Sequence, residues 1–142
     1  MSEGLFFAIA AALVFGLWTV FHKQAASQID SLLGAIIVSV TAAFIGIIFF
    51  LPKLKTAVFQ VSPKGIIFAV FAGIFALLLD FFVLKSYGSG FPISIGAPIV
   101  IGGSIAVASI VGLFLGESVT LAKILGLVFV IAGSGMLAAF SK

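Results

Sequence analysis

The sequence predicts an all-α integral membrane protein built as a bundle of five transmembrane helices. Two observations and one physical constraint predict it. Of 142 residues, 63% are hydrophobic and 8% are charged, against roughly 25% charged in soluble domains. No water-facing surface can be assembled from so few. The charges also fall between apolar runs, and the runs have the length of a crossing, since a hydrocarbon core of about 30 Å takes ~20 helical residues. Within lipid, each segment must bond its own backbone groups, so helix is imposed whatever the Val and Ile content would suggest in water.

The elements follow in order. The first run, between Glu3 and His22, predicts a helix over 4–22. Its leader Met-Ser-Glu lacks a basic residue and the run is long for a signal core, so we expect it to be retained as a helix. The second run, between Asp30 and Lys53, predicts 31–51. A longer connection, "PKLKTAVFQVSPK", follows and is expected to hold a short interfacial stretch around 57–61. The third run predicts a helix over 65–86, interrupted only by Asp80. The fourth run is too long for one crossing and too short for two. Its first residues, "SYGSGFP", are turn formers, so the turn is placed at 87–90 and the fourth helix at 91–115, with proline in its first turn. The fifth helix is expected over 120–140, making 1–142 a single five-helix domain.

Composition also limits function. Cys is absent, which removes disulfides, thiolate metal sites and cysteine nucleophiles. The net charge of +3 comes from scattered lysines, the pattern of membrane flanks and not of a nucleic-acid surface. One His and four acids make no metal cluster, and no nucleophile–base pair or phosphate loop is visible. The expectation is therefore a non-enzyme without metal or cofactor, whose partners are the lipid bilayer and a small-molecule solute, with no nucleic acid. Five crossings would put Lys53, Lys55, Lys64 and Lys123 on one side and Lys23, Lys85 and Lys142 on the other. Orientation follows Lys and Arg asymmetry, and here that asymmetry is almost nil. Two topologies stay open: a single one with the N-terminus inside, or a dual one with antiparallel pairing.

Particular residues stand out. Asp80 lies about 7–8 Å along the helix from Lys85 at 1.5 Å per residue. A charge at that depth faces the bundle interior. Gly73, Ala76, Leu84 and Tyr87 share its face, while Phe68, Phe71, Phe75 and Phe82 lie elsewhere. His22, Lys23 and Lys85 are its candidate partners. Either Asp80 pins helix ends through one of them, or it titrates or meets a cationic solute group. Trp18 lies one turn before His22 on a stripe with Phe15 and Ala11, and serves either as an interfacial anchor or as a cavity wall. Ser94, Pro98, Gly102, Ser109, Gly112 and Gly116 follow one helical face, where small residues let helices approach. Pro98 frees a carbonyl near Ser94 and bends the helix, either for packing or to line a cavity. Gly112 with Gly116, and Gly126 with Gly133, are expected helix-packing or dimer contacts. Glu117 or Ser118 is expected to cap the fifth helix.

These features resemble the EamA domain of the drug/metabolite transporter superfamily. The resemblance rests on "FGLWTVFHKQA", on "DFFVLKSYGSGFPISIGAPI", on Pro98 and the small-residue face after it, on "LGE" at 115–117 and on the glycine-striped last helix. It covers essentially the whole chain. It implies a transporter in the cytoplasmic (inner) membrane that works by alternating access. Typical members resemble two oppositely oriented five-helix repeats, so one repeat implies completion by an antiparallel homodimer, with Trp18, Gly73, Ala76, Asp80, Tyr87, Ser94 and Pro98 lining the cavity. The last helix also resembles the dimerisation helix of the small multidrug resistance relatives. Those carry a glutamate inside the first helix, which this chain lacks. A dual-topology channel and a non-transporting membrane subunit or scaffold are the alternatives.

Overall fold

The computed structural model describes residues 3–55, 61–118 and 120–139. Five α-helices account for nearly all of them: α1 (Glu3–Ala26), α2 (Ser31–Phe50), α3 (Pro63–Gly88), α4 (Ile93–Phe114) and α5 (Leu121–Ala139), with a 3₁₀ turn at Leu51–Lys55 after α2. Each α-helix is long and apolar enough to cross a membrane. Residues 57–60 of the expected interfacial stretch, and Lys142, lie outside the described residues. Large apolar side chains such as Phe49, Phe68, Phe75 and Phe114 point outward, as lipid contact requires.

The chain divides after Gly90 into two compact units. In the first unit, α3 packs against both α1 and α2, which scarcely touch each other. One face of each helix explains this. On α1 the buried residues are Thr19, His22 and Ala26, and on α3 they are Asp80, Val83, Leu84 and Tyr87, both at the three-and-four spacing of a helical stripe. Glycines permit the close approaches. A Cβ on Gly34 of α2 would lie 2.7 Å from Leu84 Cδ1, and one on Gly88 would lie 2.8 Å from the Ala26 carbonyl oxygen.

Local chemistry sets the helix ends. Asp30 caps α2: its Oδ1 accepts from the N–H groups of Leu32 and Leu33 at 2.9 and 3.0 Å. Ser62 Oγ accepts from the Gly65 N–H at 3.0 Å, and Pro63 opens α3 where a missing N–H costs nothing. Helix α3 continues to Gly88, so the turn falls at Ser89–Pro92. Gly90 takes a φ of 92° there, a left-handed conformation that suits glycine. Tyr87 is therefore helical and buried, and Pro92 sits just before α4 instead of inside its first turn.

In the second unit, α4 and α5 form a helical hairpin. Its close contact is between Gly102 and Ser134, where a Cβ on Gly102 would lie 2.9 Å from Ser134 Cβ. The Ser134 hydroxyl stands 3.0 Å from the Pro98 carbonyl oxygen and 2.8 Å from that of Val130. The expected packing glycines behave differently. Gly126 and Gly133 have nothing within 4 Å of a built Cβ, and Gly112 faces the Glu117 side chain.

Gly116 ends α4. It lies beyond the end of α4 with a φ of 83°, its N–H donates to Leu113 at 3.1 Å, and the Glu117 N–H donates to Gly112 at 3.0 Å. This paired ending needs a left-handed residue after the helix. A Gly116→Ala substitution is expected to destabilise the hairpin by ~1–2 kcal/mol, readable as a lower midpoint in detergent-titrated unfolding. The same turn displaces the cap expected at Glu117 or Ser118. Those residues complete the exit from α4, and Thr120 caps α5 instead, its Oγ1 accepting from the Lys123 N–H at 3.3 Å.

Candidate functional site

The first unit places an aromatic column on α1. Phe15, Trp18 and His22 follow at three and four residues, so their rings stack along one face. The Phe15 and Trp18 centroids are 4.9 Å apart with planes 24° apart, and Trp18 and His22 are 3.9 Å apart at 39°. Trp18 is thus held between a ring one turn before it and a ring one turn after it.

At the end of the column lies the one buried ionisable pair among the described residues. His22 Nε2 is 3.0 Å from Asp80 Oδ1, and both residues are buried, 4% and 6% exposed. His22 Nδ1 is 3.0 Å from the Trp18 carbonyl oxygen. A carbonyl can only accept, so Nδ1 carries a hydrogen. The second contact then holds one proton, on Nε2 or on the carboxyl. Whichever atom holds it, the pair has no net charge: imidazolium with carboxylate, or imidazole with carboxylic acid. Each arrangement satisfies both groups, which is what a buried polar pair requires.

Of the residues expected near Asp80, His22 is in direct contact with it. Lys23, one position further round α1, donates to the Tyr87 carbonyl at 3.3 Å and lies 5.6 Å over the Tyr87 ring. That puts a cation at the C-terminal end of α3, where the helix dipole favours it. Lys85 is exposed, with its ammonium 5.5 Å over Phe81. The Tyr87 hydroxyl is buried and lacks a hydrogen-bond partner.

A cavity of 510 Å³ adjoins the pair, between α1 and α2 with Leu84 of α3 below. From α1 it takes Trp18, Phe21, His22 and Ala25. Helices one to four are expected around the cavity, but the sequence singles out no residue of the α2 wall. It is formed by Gly34, Ile37, Val38, Thr41, Ala42 and Ile45, a three-and-four stripe that is readable in the sequence but carries no charge or proline to attract attention. Gly73 and Ala76, expected on the Asp80 face, are exposed and do not line this cavity.

The remaining expected residues belong to the second unit. Ser94 is exposed and Pro98 half-buried. A smaller cavity of 340 Å³ lies beside the α4–α5 turn and is lined in part by Glu117, Ser118, Lys123 and Gly126. There the Lys123 ammonium donates to the Ser118 carbonyl at 2.9 Å and stands 4.0 Å from the Glu117 carboxylate. Both charged side chains are well exposed, so this pair is a weak constraint. Among the described residues, no three of His, Cys, Asp and Glu converge as metal ligands would.

In comparison with known proteins, the model of the EamA-like transporter family matches residues 2–139. No curated protein and no solved structure matches significantly.

Proposed function

The chain belongs to the EamA-like transporter family, and from that premise we propose that it moves small organic solutes across the cytoplasmic membrane by alternating access, as an antiparallel homodimer. The observation that carries the reading is the 510 Å³ cavity beside the buried His22–Asp80 pair. Its volume lies within the roughly 300–1,000 Å³ of small-molecule sites. Ionisable residues inside membrane helices face the bundle interior, pair with one another and mark solute pathways. A pseudo-two-fold arrangement of oppositely oriented repeats is a general transporter plan. The near balance of lysines between the two expected sides lets either orientation insert.

Because the sequence has no cysteine, a single introduced one reports topology without interference. Ser89 lies in the exposed α3–α4 turn. In intact cells, a membrane-impermeant maleimide is expected to label about half of Ser89→Cys molecules, and all of them after permeabilisation. Labelling of all or none before permeabilisation removes the antiparallel homodimer. In reconstituted vesicles, solute uptake is expected to saturate and to show competition between solutes; linear, non-competing flux would identify a channel instead.

A further inference from the structure

We infer that the cavity between α1 and α2 takes uncharged, apolar solutes, and that Asp80 is not a counter-charge for a cation. This rests on reading the cavity as the transport site and names the class of molecule it accepts.

Three observations carry it. First, the buried carboxylate beside the cavity is already matched. Asp80 is buried against His22 at 3.0 Å and does not itself line the cavity. One shared proton leaves the pair neutral in either form, so Asp80 offers no net negative charge to draw in a cation, and the Asp30 carboxylate beside lining residue Ile29 is engaged by the Leu32 and Leu33 N–H groups at the start of α2. Displacing His22 from Asp80 would strand a buried imidazole, a cost that a solute would have to offset. Second, the indole of the wall is already stacked, which leaves Phe21 as its other aromatic. A cation is attracted to the face of an indole, but Trp18 lies between Phe15 and His22, with ring centroids 4.9 and 3.9 Å away. Third, the rest of the wall is aliphatic or small: Ala25, Ile29, Ile37, Val38, Ala42 and Ile45 among them. Thr41 supplies the one side-chain hydroxyl. A dry apolar cavity of ~150 Å³ already holds a benzene ring, so 510 Å³ accommodates a larger apolar body.

The protein carries its own reporter, since Trp18 is its only tryptophan. Quenching of its fluorescence by a bromine-bearing solute reads occupancy of this cavity directly. The probes are 4-bromotoluene, which is neutral, and 4-bromobenzyl-trimethylammonium chloride, its permanently charged counterpart, titrated into the full chain in lipid nanodiscs. The neutral probe is expected to give a saturable component above the linear background from membrane partitioning, and the cation only the background. Ala42→Phe fills the cavity from an exposed position on α2 and is expected to remove the saturable component. Asp80→Asn keeps a hydrogen-bonding partner for His22 and is expected to change the neutral probe's affinity less than threefold. Saturable quenching by the cation, lost more than tenfold in Asp80→Asn, overturns the inferred solute class while leaving the cavity as the transport site. Saturable quenching by neither probe, or by the neutral probe equally in Ala42→Phe, overturns the cavity as a binding site altogether, and with it the reading that it is the solute path.

Discussion

Leucine in place of Asp80 is expected to destabilise the protein by ~2–4 kcal/mol, read as a lower midpoint in denaturing-detergent titration. The cause is not the loss of one favourable contact but what remains behind. His22 is 4% exposed, and its Nε2 would face a leucine with no water to replace the carboxyl. Stranding one member of a buried pair costs about 1–3 kcal/mol for a neutral group and 3–5 kcal/mol for a charged one. The companion variants decide the matter. His22→Leu alone should be similarly harmful, because it strands Asp80 and also removes the ring that covers Trp18. The double variant should be milder than the sum of the two by at least ~1 kcal/mol, since contacting residues couple on that scale. Strict additivity would mean that the 3.0 Å contact contributes nothing.

The second large effect is expected at Gly88. There the obstacle is backbone: a Cβ would come to 2.8 Å from the Ala26 carbonyl oxygen, and a carbonyl at the end of a packed helix cannot rotate away as a side chain can. Gly88→Val should separate the ends of α1 and α3 and cost ~1–3 kcal/mol, the usual range for overpacking. Lys23 depends on the same junction, since it donates to the neighbouring Tyr87 carbonyl. Faster proteolysis at the α1–α2 and α3–α4 turns would accompany the loss of stability. If Gly88→Val matches the native protein in both measurements, the two helices do not meet as closely as described. Gly34→Ala makes a useful contrast, because its 2.7 Å neighbour is the tip of Leu84, which can move aside.

Much of the helical plan was legible because membrane crossing ties length to composition. The inward direction of Asp80 was legible for the same reason: the bulky Phe68, Phe71, Phe75 and Phe82 occupy other faces, and the structure leaves all four exposed. Choosing among its partners was not, because His22 and Lys23 are adjacent in sequence and differ only by ~100° around α1. That rotation sends one to Asp80 and the other to the end of α3. Gly116 does end α4, but its left-handed turn closes through the Glu117 N–H onto the Gly112 carbonyl, so Glu117 belongs to that ending and Thr120 caps α5. The particular residues of the α2 wall were not legible because small and apolar side chains look like any lipid-facing stripe until α1 is seen to stand apart from them. Among the described residues, nothing lies within 4 Å of a Cβ built on Gly126 or Gly133.

The length of α3 has a consequence of its own. At 26 residues it is the longest of the helices, and Lys64 and Lys85 stand about 32 Å apart along it at 1.5 Å per residue, close to the ~30 Å of an average hydrocarbon slab. The two ammonium groups therefore act as a gauge of bilayer thickness. Hydrophobic mismatch costs fractions of a kcal/mol per Å, so in a slab several ångströms thicker these amines would be drawn toward the acyl chains and the histidine–aspartate contact would sit deeper below the headgroups. Acyl-chain length in the host membrane is thus a variable that tunes this helix without altering any residue.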